Sequence, residues 1–223
     1  MGLVAGEHLL VLIAIFAVFI PALMLPGPDF IGVVRSSLGR GTKAGLLTTA
    51  GVTVGLGFYA TLSLVGLAAI MIQYQWLAIT VRVLGGLYLC YLGVRLLLEA
   101  RKVSDTNGYD AVDGQDNKTG AWGSLLFGFT VTLTNPKAIV LFASVFAPAI
   151  TTETPVWLMV AMVSLVMLSS AIWYTCVSLF FTAPVVRQRF LNARHWIERV
   201  AGVCFVAIGG RILFDSRSPV TGS

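Results

Sequence analysis

Two short stretches of this chain interrupt otherwise apolar segments with ionisable groups: Pro26-Gly27-Pro28-Asp29 and Asn135-Pro136-Lys137. A proline inside a helix removes one backbone N–H and crowds the turn before it, so two prolines around Gly27 predict a break. Pro28 suits the first position of a new helix, which puts Asp29 in a first turn where the dipole favours negative charge. Asn135 and Pro136 have the same character, an N-cap followed by the first helical position, with Lys137 next. The chemistry these residues can perform is gripping charge and exchanging protons. Neither a nucleophile with a base nor a pair of acids is present at reachable positions, so no enzyme, and no catalytic residue, is expected.

The elements that must position them follow from composition. Of 223 residues, 57% are hydrophobic and only 11% charged, which points to lipid rather than water as the main solvent. A membrane helix needs about 20 apolar residues. Six such runs fit, at residues 8–25, 44–72, 76–98, 121–150, 156–181 and 196–214. The first is read as a retained span and not a signal peptide, because no Lys or Arg precedes it. Inside a bilayer, backbone freed by a break must be satisfied by protein or line a wet cavity. Each unpaired charge there costs about 2.5 to 3.5 kcal/mol on an insertion scale. Asp29 and Lys137 therefore either pair with one another, fixing the packing, or contact a substrate. Asp29 snorkelling to the interface is a further reading that sequence leaves open.

The net charge of +5 would suit a nucleic-acid partner were it clustered, but the basic residues fall in alternate loops. Arg35, Arg40 and Lys43 follow the first span; Arg95, Arg101, Lys102 and Lys118 the third; Arg187, Arg189, Arg194 and Arg199 the fifth. By the positive-inside rule both termini face away from the cytoplasm. Residues 101–120, with Asp105, Asp110, Asp113 and Asp116, read as a cytoplasmic linker between a first repeat (1–100) and a second (121–214) of one transmembrane transporter domain. Three spans per repeat force the second to lie upside down, an inverted 3+3 repeat with broken first and fourth helices. Arg82-Val83-Leu84-Gly85 with Gly93, set against Arg199-Val200-Ala201-Gly202 with Gly210, lends support at constant offset, and the two Pro-containing breaks correspond.

Other residue types carry quieter expectations. Gly41 with Gly45, and Gly51 with Gly55, have the spacing for close helix packing. Thr48, Thr49, Thr53, Thr130, Thr132 and Thr134 could face a polar substrate or bond back to their own helices, the commoner case. Trp173 and Tyr174 could wall a cavity, with aromatic packing the safer reading. Residues 187–199 suit either a short helix on an anionic membrane surface or a basic loop. Cys90, Cys176 and Cys204 lie in apolar runs, away from the breaks where a thiol-disulfide carrier would need them. His8 and His195 lie near span ends and read as solvated. A metal-ion transporter would want more converging ligands than Asp29, so no metal or cofactor is expected. A structural or lipid-handling membrane protein remains an alternative, as does a small-solute transporter of another kind.

Taken in order, Pro26-Gly27-Pro28-Asp29, the Gly-rich second span, Gly85-Gly86-Leu87-Tyr88-Leu89 with Gly93, and Asn135-Pro136-Lys137-Ala138 resemble the lysine-exporter (LysE) translocator family, in its homoserine/threonine-resistance branch. The resemblance covers nearly the whole chain; the acidic linker is its one departure. It implies a multi-pass protein of the bacterial inner membrane that exports amino acids or related small metabolites, driven by proton exchange. Its partners would be an amino acid, protons and the bilayer, with monomer and homodimer both compatible. The residues expected to bind or couple are Pro26, Gly27, Pro28, Asp29, Thr134, Asn135, Pro136 and Lys137. On that expectation the Asn135 helix start and Lys137 receive a substrate carboxylate, Asp29 faces its ammonium, and protonation of Asp29 alternates with cargo.

Overall fold

A computed structural model describes residues 2–73, 75–99, 120–146 and 154–216. All regular structure among them is helical: α1 (Gly2–Met24), α2 (Pro28–Arg40), α3 (Thr42–Gln73), α4 (Gln75–Glu99), α5 (Ala121–Leu133), α6 (Pro136–Phe146), α7 (Val156–Phe180) and α8 (Pro184–Asp215). The expected linker at 101–120 lies outside the described residues except for Gly120.

Polarity is distributed in the reverse of a water-soluble domain. Asp29, Ser36, Thr48, Thr132, Asn135 and Ser178 are buried, while Leu10, Leu62, Val65, Leu84, Leu168 and Val203 point outward. Many large apolar side chains on the surface, with polar groups buried among an apolar core, is an arrangement that hydrocarbon stabilises and water does not. Thr42–Gly66 of α3 and all of α7 are long and apolar enough to cross a membrane alone; α1 with α2, bent by 45°, and α5 with α6, bent by 61°, qualify as broken pairs. The described side chains of α4 supply a shorter apolar stretch, Val83–Leu98. In α8 the stretch before Arg199 mixes apolar with basic and polar residues, and the continuous apolar run follows Arg199. Among the described residues two helices qualify alone, and up to four spans if each bent pair is one span, where the sequence suggests six.

The first and fourth apolar runs break at Pro26-Gly27-Pro28 and Asn135-Pro136, while Pro21 is carried inside α1. The fifth-to-sixth connection differs from expectation: residues 187–199 form neither a separate surface helix nor a loop but the first half of the continuous α8. No Gly or Pro lies between Val185 and Ala201 to stop it, and Val186, Phe190 and Ile197 at near-helical spacing pack inward.

Helices pack mainly across the two halves. The central α3 lies against α2, α5 and α7, and α4 lies along α8. Glycine sets the separation: a Cβ on Gly128 would meet the Thr48 carbonyl carbon at 3.0 Å, and one on Gly55 the Thr132 Cβ at 2.8 Å. Along α4 and α8 the contacts are reciprocal and antiparallel. A Cβ on Gly93 would sit 2.7 Å from the Gly202 oxygen and one on Gly202 2.9 Å from that of Gly93, and Gly86 and Gly209 repeat the arrangement two turns away. Small residues let the backbones approach this closely. Gly41 departs from its expected packing role: nothing lies within 4 Å, and its φ of +85° makes it the turn between α2 and α3, a conformation glycine adopts without strain.

Hydroxyls stitch the end of the molecule that carries Arg40 and Lys43. Ser37 donates to Ser178 at 3.0 Å, Thr48 to Ser36 at 2.9 Å, and Thr49 to the Tyr174 carbonyl at 3.2 Å.

Candidate functional site

Each helix break leaves backbone groups to be satisfied, and the way this is done builds the site. A helical residue donates its N–H to the carbonyl four positions back, so Pro26 deprives Ala22 of a partner. The Lys137 Nζ, reaching over from α6, donates to that Ala22 oxygen at 3.2 Å. This places a cation at the C-terminal end of α1, where the helix dipole is negative. Gly27, in extended conformation, precedes Pro28 at the first position of α2, and a Cβ on Gly27 would meet Lys137 Nζ at 3.8 Å.

The second break is satisfied symmetrically in spirit. Asn135 Oδ1 accepts the backbone N–H of Lys137 at 3.1 Å, an N-cap for α6. That N–H is therefore diverted from the Leu133 carbonyl, which instead accepts from the Tyr59 hydroxyl at 2.7 Å. Pro136 leaves the Thr132 carbonyl without its usual donor, and the Asn135 N–H takes it at 3.0 Å.

Asp29, in the first turn of α2 and 6% exposed, joins the two breaks. Asn135 Nδ2 donates to its Oδ2 at 3.1 Å. Thr132 Oγ1 lies 3.0 Å from Asp29 Oδ1 and 3.2 Å from the Gly128 oxygen, its one proton serving either acceptor. Two helix starts from different halves of the chain thus meet at a carboxylate. The ion pair weighed from sequence is not formed: no salt bridge joins Asp29 to Lys137, because the ammonium is engaged by the carbonyl that Pro26 frees and the carboxylate by Thr132 and Asn135. Nor does Asp29 snorkel to an interface, being buried where the helices cross.

Between these groups lies a cavity of about 30 Å³, lined by Asp29, Asn135, Lys137 and Gly27 on one side and by Phe19, Phe30, Leu56, Phe142 and Tyr174 among the apolar walls. That is room for about two waters and not for an amino acid.

Of the expected residues, Gly27, Asp29, Asn135 and Lys137 converge on this cavity, with Pro26 and Pro28 shaping its first wall and Pro136 opening α6. Thr134 does not reach it; it is exposed and its hydroxyl returns to the Thr130 carbonyl at 2.9 Å. Thr132 stands where Thr134 was expected. The signal for it was available, since Ser124, Gly128 and Thr132 recur every four residues and form the buried face of α5. Tyr174 lines the cavity, whereas Trp173 packs against Phe190. Tyr59 gave no local sign of its role. Glu198, buried within the basic half of α8, was also not foreseen.

Comparison with known proteins matches residues 20–216 to the LysE type translocator family. The chain is 32% identical over 207 residues to the threonine efflux protein of Escherichia coli K12, covering 93% of this chain and 99% of that one. It is 28% identical over 204 residues to the leucine efflux protein of Klebsiella pneumoniae, covering 88% of this chain and 90% of that one, and 28% identical to an uncharacterized membrane protein of Haemophilus influenzae over 86% of this chain and 91% of that one. No solved structure matches.

Proposed function

The chain belongs to the LysE type translocator family, and on that premise we propose that it is a secondary exporter of amino acids across the bacterial inner membrane, coupled to protons. Six spans in an inverted 3+3 arrangement would carry it, with α4 and the second half of α8 completing the four spans that qualify by length. Both termini would lie on the non-cytoplasmic side, with the Arg40–Lys43 end of α2 and α3 in the cytoplasm.

The observation that carries this reading is the meeting of α2 and α6 starts at Asp29 and Asn135, with Lys137 over the same cavity. A zwitterion supplies the opposite of each group. Its carboxylate would displace the Ala22 carbonyl from Lys137 and gain the α6 terminus, and its ammonium would take up Asp29. A proton on Asp29 would serve in place of the ammonium on the return, which is exchange in the thermodynamic sense: one binder excludes the other. Relatives named for threonine and leucine efflux support a small amino acid as cargo.

The test is counterflow in proteoliposomes loaded with unlabelled amino acid and given labelled threonine or leucine outside, with and without an imposed proton gradient. Gradient-stimulated exchange is expected, and Asp29→Asn is expected to abolish the stimulation. Absence of exchange for every amino acid in a full panel would overturn the export reading; wild-type stimulation in Asp29→Asn would remove the proton from it.

A further inference from the structure

The cavity lies between two aromatic clusters, and the two differ in construction. On one side Phe142, which lines the cavity, packs with Phe19 at 5.7 Å, Tyr59 at 6.2 Å and Phe146 at 5.5 Å, all within α1, α3 and α6. On the other side Phe30, also a lining residue and 1% exposed, is covered by rings from outside its own helix. Phe190 of α8 stacks on it at 5.3 Å and 16°, and Phe181 from the α7–α8 turn meets it edge-on at 5.2 Å. Phe190 also contacts Phe181 at 4.9 Å and Trp173 at 6.1 Å. Being only half-buried, Phe190 is the ring between Phe30 and the molecular surface.

Resting on the export reading above, we propose that Phe190 is the inner gate of this transporter, the side chain whose withdrawal opens the Asp29–Lys137 cavity to the side bearing Arg40 and Lys43. Its helix is suited to the task. Among the described side chains in the first half of α8, Val186, Phe190, Ile197 and Glu198 turn inward, while Gln188, Arg189, Asn192 and His195 are exposed. Phe190 is the aromatic ring among them, held over Phe30 by its contacts with Phe30, Phe181 and Trp173. Beside it, Trp173 Nε1 is buried with no acceptor. Lifting Phe190 admits water to that N–H, so opening recovers a hydrogen bond the closed form lacks, which offsets part of the lost ring packing.

The experiment is cysteine accessibility. Cys90, Cys176 and Cys204 are replaced by Ser and Gly27→Cys is introduced as reporter; a Cβ there meets nothing closer than Lys137 Nζ at 3.8 Å, so the site accepts it. Labelling by a membrane-impermeant methanethiosulfonate is followed in inside-out and right-side-out vesicles. With Phe190→Ala the inside-out rate is expected to rise on the order of tenfold while the right-side-out rate holds, as the open population grows. No rise, or an equal rise from both faces, overturns the gate. A rise confined to right-side-out vesicles upholds the gate and overturns the orientation proposed above. Should Phe190→Ala fail to fold, Phe190→Leu, which keeps apolar volume without ring stacking, is read by the same criteria. Labelling needs no transported substrate, so a failure here and a failure of counterflow are separate results.

Discussion

Replacing Lys137 by Met separates a cation that holds the fold together from one held ready for cargo. Among the described residues its Nζ donates only to the Ala22 carbonyl, and Asp29 has its own donors in Thr132 and Asn135. Lys137→Met leaves the Ala22 oxygen unsatisfied, a cost of about 1–3 kcal/mol. It also removes a charge whose placement in the bilayer costs about 2.5–3.5 kcal/mol on the insertion scale. Their difference runs from about 0.5 kcal/mol of lost stability to about 2.5 kcal/mol gained, so Lys137→Met should lose no more than about 0.5 kcal/mol. Had Lys137 and Asp29 formed a buried ion pair, removing one partner would cost about 3–5 kcal/mol. Binding responds differently: loss of a charge-assisted bond to a carboxylate, about 1.5–3 kcal/mol, lowers affinity roughly 10- to 150-fold. Reversible unfolding in mixed dodecylmaltoside–SDS micelles gives the first quantity and counterflow half-saturation the second. The reasoning is refuted if Lys137→Met loses 3 kcal/mol or more and Asp29→Asn in the same chain restores most of it, since that coupling requires the direct pair.

Two further substitutions probe the frame around the site. Gly128→Ala drives a methyl against the Thr48 backbone, with the carbonyl carbon at 3.0 Å, and should cost about 1–3 kcal/mol by forcing α3 and α5 apart; an unchanged micelle unfolding curve would show that the two helices can slide freely. Tyr59→Phe removes the 2.7 Å donor to the Leu133 carbonyl and should cost about 0.6–1.7 kcal/mol by the same assay, with no change expected at the first break.

What the sequence disclosed here was whatever leaves a local mark. Apolar run length marked the helices, and proline marked both interruptions because its missing N–H acts on its own turn. Asn135 as N-cap was readable for the same reason. Partner choice across the chain was not. That Pro26 orphans the Ala22 carbonyl follows from counting four residues back, yet nothing local says that a lysine 115 positions away will satisfy it. Opposite charges at the two breaks suggested attraction, whereas backbone and amide groups took both of them first. Thr132 and Thr134 differ only in which face of α5 they occupy, a distinction the Ser124–Gly128–Thr132 periodicity settles and composition does not. The first half of α8 misled because its basic residues dominate the pattern, while the inward-facing Val186, Phe190, Ile197 and Glu198 are scattered among them.

The glycine seam between α4 and α8 bears on how the protein is made. The ribosome delivers α4, with Arg82 and Arg95 in its length, while the helix that will lie against Gly86 and Gly93 is still to be translated. Until α8 arrives, those notches face lipid or a temporary companion. The amino-terminal half therefore enters the bilayer as an unfinished object, and a helix synthesised much later is the one that locks an early one in place.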